Sequence, residues 1–212
     1  MVALIGPDGA GKSTLMQMIC GLVGQDSGSL SVLGRTPDPD DEDFVNAVGY
    51  MPQTLGLYKD LSVMENMKLF GALKGTKPPE GMTIEAYYAS LIALTGLEGF
   101  EGRPAGKLSG GMKQKLALIS ALIHEPKLIL MDEPFVGLDP KAAHLLKGMM
   151  REICDRGGAI FFSTHVLEVA EKLCDKVAII KGGKLIRSGT MEEVKGDDSL
   201  EEVFLELEGE SC

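Results

Sequence analysis

Apolar positions along this chain follow two rhythms. Val2–Ile5, Val48–Met51, Leu128–Met131 and Ala159–Ser163 are short apolar runs bounded by Gly, Pro or acidic residues, and predict buried strands. Val177–Ile180 and Leu185–Ser188 flank Lys181-Gly182-Gly183-Lys184, which predicts a hairpin. Ser29–Leu33 alternates and predicts one further strand. Helical spacing governs other stretches: Ser13 to about Cys20, stopped by Gly21, then Gly110–His124, Pro140–Asp155, Val166–Leu173, Met191–Lys195 and Leu200–Glu206. Ser62 and Glu65 form a capping-box signature for a helix through about Lys74, and Thr83 caps another to about Thr95. Pro37–Asp43 reads as an acidic, Pro-broken loop, and Lys77–Gly81 and Gly96–Lys107 as breaks.

Strands and helices alternate toward both ends, whereas the middle is purely helical. The expectation is an α/β lobe over residues 1–53 and 108–212, split by a helical insertion over 54–107. The longest apolar runs, such as Leu116–Ile123, fall far short of the roughly 20 residues a membrane helix needs. No basic segment precedes an apolar stretch at the N-terminus, so no signal peptide is visible. The formal charge of −10 repels phosphate backbones and weighs against nucleic acid as a partner. Cys20, Cys154, Cys174 and Cys212 share no metal-like spacing, and read as reduced thiols packing as small apolar groups.

The chemistry concentrates in glycine-rich and acidic punctuation. Gly6-Pro7-Asp8-Gly9-Ala10-Gly11-Lys12-Ser13 fits the phosphate-binding pattern G-x-x-x-x-G-K-[ST], between a strand and a helix. Its glycines let backbone N–H groups, through Thr14, close on phosphate oxygens at a positive helix end. Lys12 is expected to reach the β- and γ-phosphates, and the Ser13 hydroxyl to ligate Mg²⁺. Leu128–Met131 runs into Asp132-Glu133, two carboxylates suited to holding Mg²⁺ through water and to polarising an attacking water.

Leu108-Ser109-Gly110-Gly111-Met112-Lys113-Gln114, read with Lys12, Asp132 and Glu133, resembles the signature of the ATP-binding-cassette (ABC) ATPases. The resemblance covers the chain from Val2 to about Ser188. It implies a P-loop NTPase fold: a RecA-like α/β core, an inserted helical subdomain and an incomplete antiparallel β subdomain. It also implies ATP and Mg²⁺ as ligands. Ser109, Gly110, Gly111 and Gln114 would grip the γ-phosphate of an ATP held by a second ABC ATPase subunit. Gln53, after Tyr50-Met51-Pro52, resembles the glutamine that senses Mg²⁺ and γ-phosphate beside the transporter contact. Asp139, in Gly137-Leu138-Asp139-Pro140, resembles the loop that crosses the dimer interface, and His165 the switch histidine. His124 and His144 match nothing and read as surface histidines. Phe135 and Lys115 depart from the family pattern, Phe135 replacing a small residue and Lys115 an arginine.

Gly56–Asn66 and Asp198–Phe204 look like ATPases of bacterial drug and antibiotic exporters. The resemblance therefore implies a cytoplasmic subunit, peripheral on the inner face of the membrane, that powers export through separate transmembrane permease subunits. Two other readings stay open, a soluble regulatory or cofactor-assembly cassette and a catalytically impaired fragment. The latter arises because the family carries strands and an adenine-stacking aromatic upstream of the phosphate loop, and only five residues precede Gly6 here. Loss of that stacking, about 1–3 kcal/mol, is expected to weaken ATP binding by roughly 5- to 150-fold. It is also expected to leave an unpaired sheet edge at Val2–Ile5 or Ser29–Leu33.

Overall fold

In the computed structural model, which describes residues 1–209, the predicted apolar runs assemble into one sheet. Its strands are β1 (Val2–Ile5), β2 (Val48–Met51), β3 (Leu128–Met131), β4 (Ala159–Thr164), β5 (Lys176–Lys181) and β6 (Lys184–Thr190). They lie in the order β2-β3-β4-β1-β5-β6. All neighbours are parallel except the β5–β6 hairpin. Strands that are apolar throughout belong inside such a sheet, with helices over both faces. Around them run α1 (Lys12–Ile19), α2 (Glu42–Ala47), α3 (Val63–Leu73), α4 (Ile84–Thr95), α5 (Gly110–Leu122), α6 (Pro140–Asp155), α7 (Leu167–Leu173), α8 (Met191–Lys195) and α9 (Leu200–Gly209).

Two separate apolar clusters stabilise two bodies. One gathers Ala3, Ile5, Met131, Met150, Phe162 and Ile179 around the sheet. The other gathers Val63, Met67, Tyr88, Ile92 and Leu97 from the helical stretch. Helix α5 serves both: Leu116, Ile119 and Ile123 enter the helical cluster, while Ala117, Leu118 and Ala121 face the sheet. Asn66, fully buried, fastens the preceding loop. Its amide oxygen accepts the Tyr58 N–H at 2.9 Å, and its nitrogen donates to the Tyr58, Leu61 and Ser62 carbonyls at 2.9–3.0 Å.

Four expectations fail here. Ser29–Leu33 is not a strand. Leu33 and Gly34 take positive φ, 53° and 79°, and the chain folds back to bridge Val32 with Arg35. The acidic loop contains α2. Asp41 caps it by accepting the N–H groups of Asp43 and Phe44, and Phe44 is buried against Val32, Val48 and Leu130. Val2–Ile5 is no sheet edge, because β1 pairs on one side with β4 and on the other with β5. His124 is not a surface residue. Its Nε2 lies 3.2 Å from the Val48 carbonyl, its Nδ1 is buried without a partner, and burial, reinforced by Lys74, pushes its pKa down to about 4. Cys20 and Cys174 lie among apolar neighbours, and desolvation pushes both thiols up to about 12. Cys212 lies outside the described residues.

The strand order positions the chemistry. Because β4 lies between β1 and β3, the loops leaving the C-terminal ends of these three strands meet at one end of the sheet. Parallel α/β sheets bind ligands at that end.

Candidate functional site

The phosphate loop leaves β1 at Ile5 and enters α1 at Lys12. Gly6 sits where no side chain fits, since a Cβ there would stand 2.2 Å from the Ile180 carbonyl oxygen of β5. Gly11, the residue before the helix, takes φ 98°. A helix start leaves its first N–H groups without helical partners. No side chain caps α1, whose first residues, Lys12 to Thr14, border a cleft. The Lys12 ammonium is buried, 2.8 Å from the Gly6 carbonyl and 3.2 Å from that of Pro7. Asp8 to Thr14 line a cleft of about 440 Å³ together with Gln53 and Glu133. Gln53 is exposed, just past the end of β2.

The acidic pair follows β3. Asp132 and Glu133 are both buried, at 3% and 6% exposure, though carboxylates are seldom inside unless partnered. The Asp132 N–H donates to the Met51 carbonyl at 2.9 Å. Glu133 takes φ 51°, a left-handed conformation that a non-glycine residue holds only where its surroundings enforce it. Its Oε2 lies 3.0 Å from His165 Nδ1, just beyond the end of β4. An ionised carboxylate only accepts, so Nδ1 carries the hydrogen in this pair. The other oxygen, Oε1, is buried with no hydrogen bond, and Lys12 Nζ lies 3.6 Å from it. One carboxylate thus stands between the phosphate-loop lysine and the histidine, with an oxygen unsatisfied.

Ser109, Gly110, Gly111, Gln114 and Asp139 form a second corner and do not line that cleft. The Ser109 side chain caps α5 through the Met112 N–H at 3.3 Å. Asp139 caps α6 through the Ala142 N–H at 2.8 Å. The two helix starts touch closely. A Cβ on Gly110 would lie 3.5 Å from the Gly137 carbonyl, and one on Gly111 would lie 3.1 Å from Ala142 Cβ. Gln114 donates to the Val136 carbonyl at 3.4 Å, leaving its amide oxygen buried and unpaired. Phe135 packs edge-on against Phe162, with ring centroids 5.8 Å apart. That contact places the large residue in the sheet core rather than in the cleft.

Ser163 was not singled out as a site residue by the motifs. Its hydroxyl donates to Asp132 Oδ1 at 2.6 Å and accepts the Glu133 N–H at 2.9 Å. The available signal was a hydroxyl at the end of the apolar run Ala159–Phe162.

These motifs have known counterparts. The family model described as "ABC transporter" matches residues 1–136. The chain belongs to the ABC transporter family. The probable multidrug ABC transporter ATP-binding protein YbhF of Escherichia coli is 46% identical over 89% of this chain. The Nod factor export ATP-binding protein I of Rhizobium etli is 39% identical over 88% of it. This ABC chain spans 32% of the first relative's length and 58% of the second's. Among solved structures, an ATP-binding subunit of an ABC transporter superposes with a TM-score of 0.88 at 35% identity, covering 98% of this chain and 88% of its own. A dimeric ATP-binding cassette, MJ0796, in a post-hydrolysis state with ADP and Pi superposes with a TM-score of 0.79 at 26% identity, covering 90% and 85%. The α/β architecture and the loop-bearing sheet end are those of this family.

Proposed function

We propose that this chain binds ATP with Mg²⁺ in the cleft over Gly6–Thr14, hydrolyses it, and acts as one half of a pair of cassettes that powers export through separate permease subunits. The observation that carries the reading is Glu133, held between Lys12 at 3.6 Å and His165 at 3.0 Å with its Oε1 unsatisfied. Lys12 and the uncapped α1 N–H groups bind the β- and γ-phosphates. Glu133 takes a proton from water as the water oxygen bonds to the γ-phosphorus. The bond from that phosphorus to the bridging oxygen breaks, and ADP leaves with the electron pair. His165 orients Glu133 and contacts the γ-phosphate.

The Ser13 hydroxyl, the Gln53 amide oxygen and, through water, the Asp132 carboxylate are the hard oxygen donors that suit Mg²⁺. Among the described residues no group of three His, Cys, Asp or Glu side chains forms a metal cage.

Ser109, Gly110, Gly111, Gln114 and Asp139 form the half-site for the nucleotide of the opposing subunit. The dimeric cassette with ADP and Pi supports that pairing. The name of the Nod factor export relative supports the transport direction. No helix among the described residues is long and apolar enough to cross a membrane. We place the cassette on the cytoplasmic face. Gln53, Leu55, Leu57, Tyr58 and Leu61 form the permease-facing rim. Tyr58 is 51% exposed, and Leu57 borders an apolar cavity of about 420 Å³ shared with Tyr50, Pro52, Phe70 and Lys74.

Two measurements test the reading. Phosphate release from ATP should require Mg²⁺ and disappear with EDTA, and Mg²⁺-independent release would reject the hydrolytic mechanism. A photocrosslinker at Tyr58 in cells should capture a membrane-embedded subunit. Capture of water-soluble proteins alone would reject the transport assignment.

A further inference from the structure

We propose that Ser163 is a positioning residue for ATP hydrolysis, its hydroxyl locking the metal-side carboxylate of Asp132 to the water-side residue Glu133. The inference rests on the hydrolytic reading above. Ser163 is completely buried near the C-terminal end of β4, beside the apolar Phe162. A buried hydroxyl is costly unless hydrogen-bonded, and an alanine would pack there with no polar demand. Both capacities of this hydroxyl are spent on adjacent catalytic positions. It donates to Asp132 Oδ1 at 2.6 Å, the short range expected for a charge-assisted bond. It accepts the Glu133 N–H at 2.9 Å.

That N–H belongs to a residue with φ 51°, where the chain has turned out of the β3 ladder. No backbone carbonyl takes it, so Ser163 is what satisfies the strained peptide. The side chain of the same residue is gripped by His165, two positions beyond Ser163 on the same segment. The end of β4 therefore fixes Glu133 at two points, its peptide through Ser163 and its carboxylate through His165. On the Asp132 side, Ser163 engages Oδ1, so Oδ2 is the oxygen that would be left to hold Mg²⁺ through water. One hydroxyl sets the relative orientation of both carboxylates, and errors of that size cost rate more than affinity.

The test uses the intact protein and three variants, Ser163→Ala, Ser163→Cys and Ser163→Thr. Alanine and cysteine remove the strong hydrogen bonds, cysteine while nearly keeping the volume, and threonine keeps the hydroxyl. Melting temperatures identify variants that remain folded. Ser163→Ala and Ser163→Cys should lower kcat by about 10- to 100-fold, less than the ~10²–10⁴-fold worth of a general base. KM for ATP should stay within about threefold, and threonine should restore most of the rate. A readout without turnover is Mn²⁺ binding in the presence of ATP, followed by electron paramagnetic resonance. It should weaken several-fold in the alanine and cysteine variants, while metal-free ATP affinity stays unchanged. Folded alanine and cysteine variants with wild-type kcat and wild-type Mn²⁺ binding would overturn the proposal. So would threonine failing to outperform cysteine, since the hydroxyl would then be irrelevant. If the wild-type protein releases no phosphate, the hydrolytic reading fails on its own, and the Mn²⁺ measurement still decides whether Ser163 orients the metal side.

Discussion

The phosphate cleft and the signature corner are both glycine-rich helix starts, yet they differ in completeness. At the cleft, α1 has no side-chain cap, a buried lysine supplies the charge, and an acid stands opposite with an oxygen free. At the corner, Ser109 caps α5 and Asp139 caps α6, and neither residue lines the cleft. Ligand affinity at a helix N-terminus is modest without further charge. The cleft has its own buried cation, whereas on the proposed reading the corner meets the nucleotide of an opposing subunit. On the proposed function, binding should be a property of one chain and turnover should need two.

The comparison can be attacked at its strongest point first. Glu133→Gln should reduce phosphate release by about 10²–10⁴-fold while ATP still binds. The variant should collect as an ATP-bound dimer on size exclusion with light scattering. Near-normal turnover would show that the cleft's acid is not the base. Lys12→Ala removes the buried cation itself, and losing such a partner costs about 2–5 kcal/mol, so ATP-Mg²⁺ affinity by titration calorimetry should fall roughly 30-fold or more. Unchanged affinity would take the loop out of the site.

The corner should respond differently. Ser109→Ala should leave single-chain ATP affinity intact and reduce ATP-driven dimerisation and turnover. Its cost to stability should be only that of a lost cap, about 1 kcal/mol. A variant that binds ATP poorly as a monomer would erase the distinction drawn here.

A smaller effect probes how the corner's helix is anchored. His124 ties the far end of α5 to β2 through Val48, and burial lowers its pKa to about 4 from an ordinary 6.5. Lys74 and the apolar environment both oppose the charged ring. Between pH 6.5 and about 4 the unfolded chain binds a proton that the folded chain refuses. Stability should therefore fall as pH falls across that window and level off below it. A single proton is involved, so this slope cannot exceed about 1.4 kcal/mol per pH unit. His124→Gln should flatten that component in denaturation curves recorded across the window. An unaltered slope would assign the acid sensitivity elsewhere.

The sequence was most legible where local spacing encodes geometry. A loop such as Gly6–Ser13 needs glycines at set positions whatever surrounds it, and capping residues such as Ser62, Thr83, Ser109 and Asp139 sit immediately before the helices they start. It was least legible where tertiary packing decides. Ser29–Leu33 has strand-like alternation but finds no partner strand, so a turn wins. Pro37 and Pro39 obscured α2, although Asp41 before Glu42-Asp43-Phe44 is itself a capping signal. The burial of His124 and the double bond-making of Ser163 depend on residues dozens of positions away, which no local window contains. The expectation of β1 as an edge failed for the same reason, since both its partners come from the far end of the sequence.

That last pairing sets a timetable for assembly. Val2 lies opposite Phe161 on one side and Lys176 on the other. The whole helical body, with its own apolar cluster, is synthesised in between. During synthesis the phosphate loop precedes the helical body, yet the strand it hangs from must wait for β4 and β5 before it has these neighbours. The helical body has its own local contacts, while pairing β1 between its late partners is the high-contact-order step, the kind expected to be slow. The cleft that β1 supports should thus be among the last features to form.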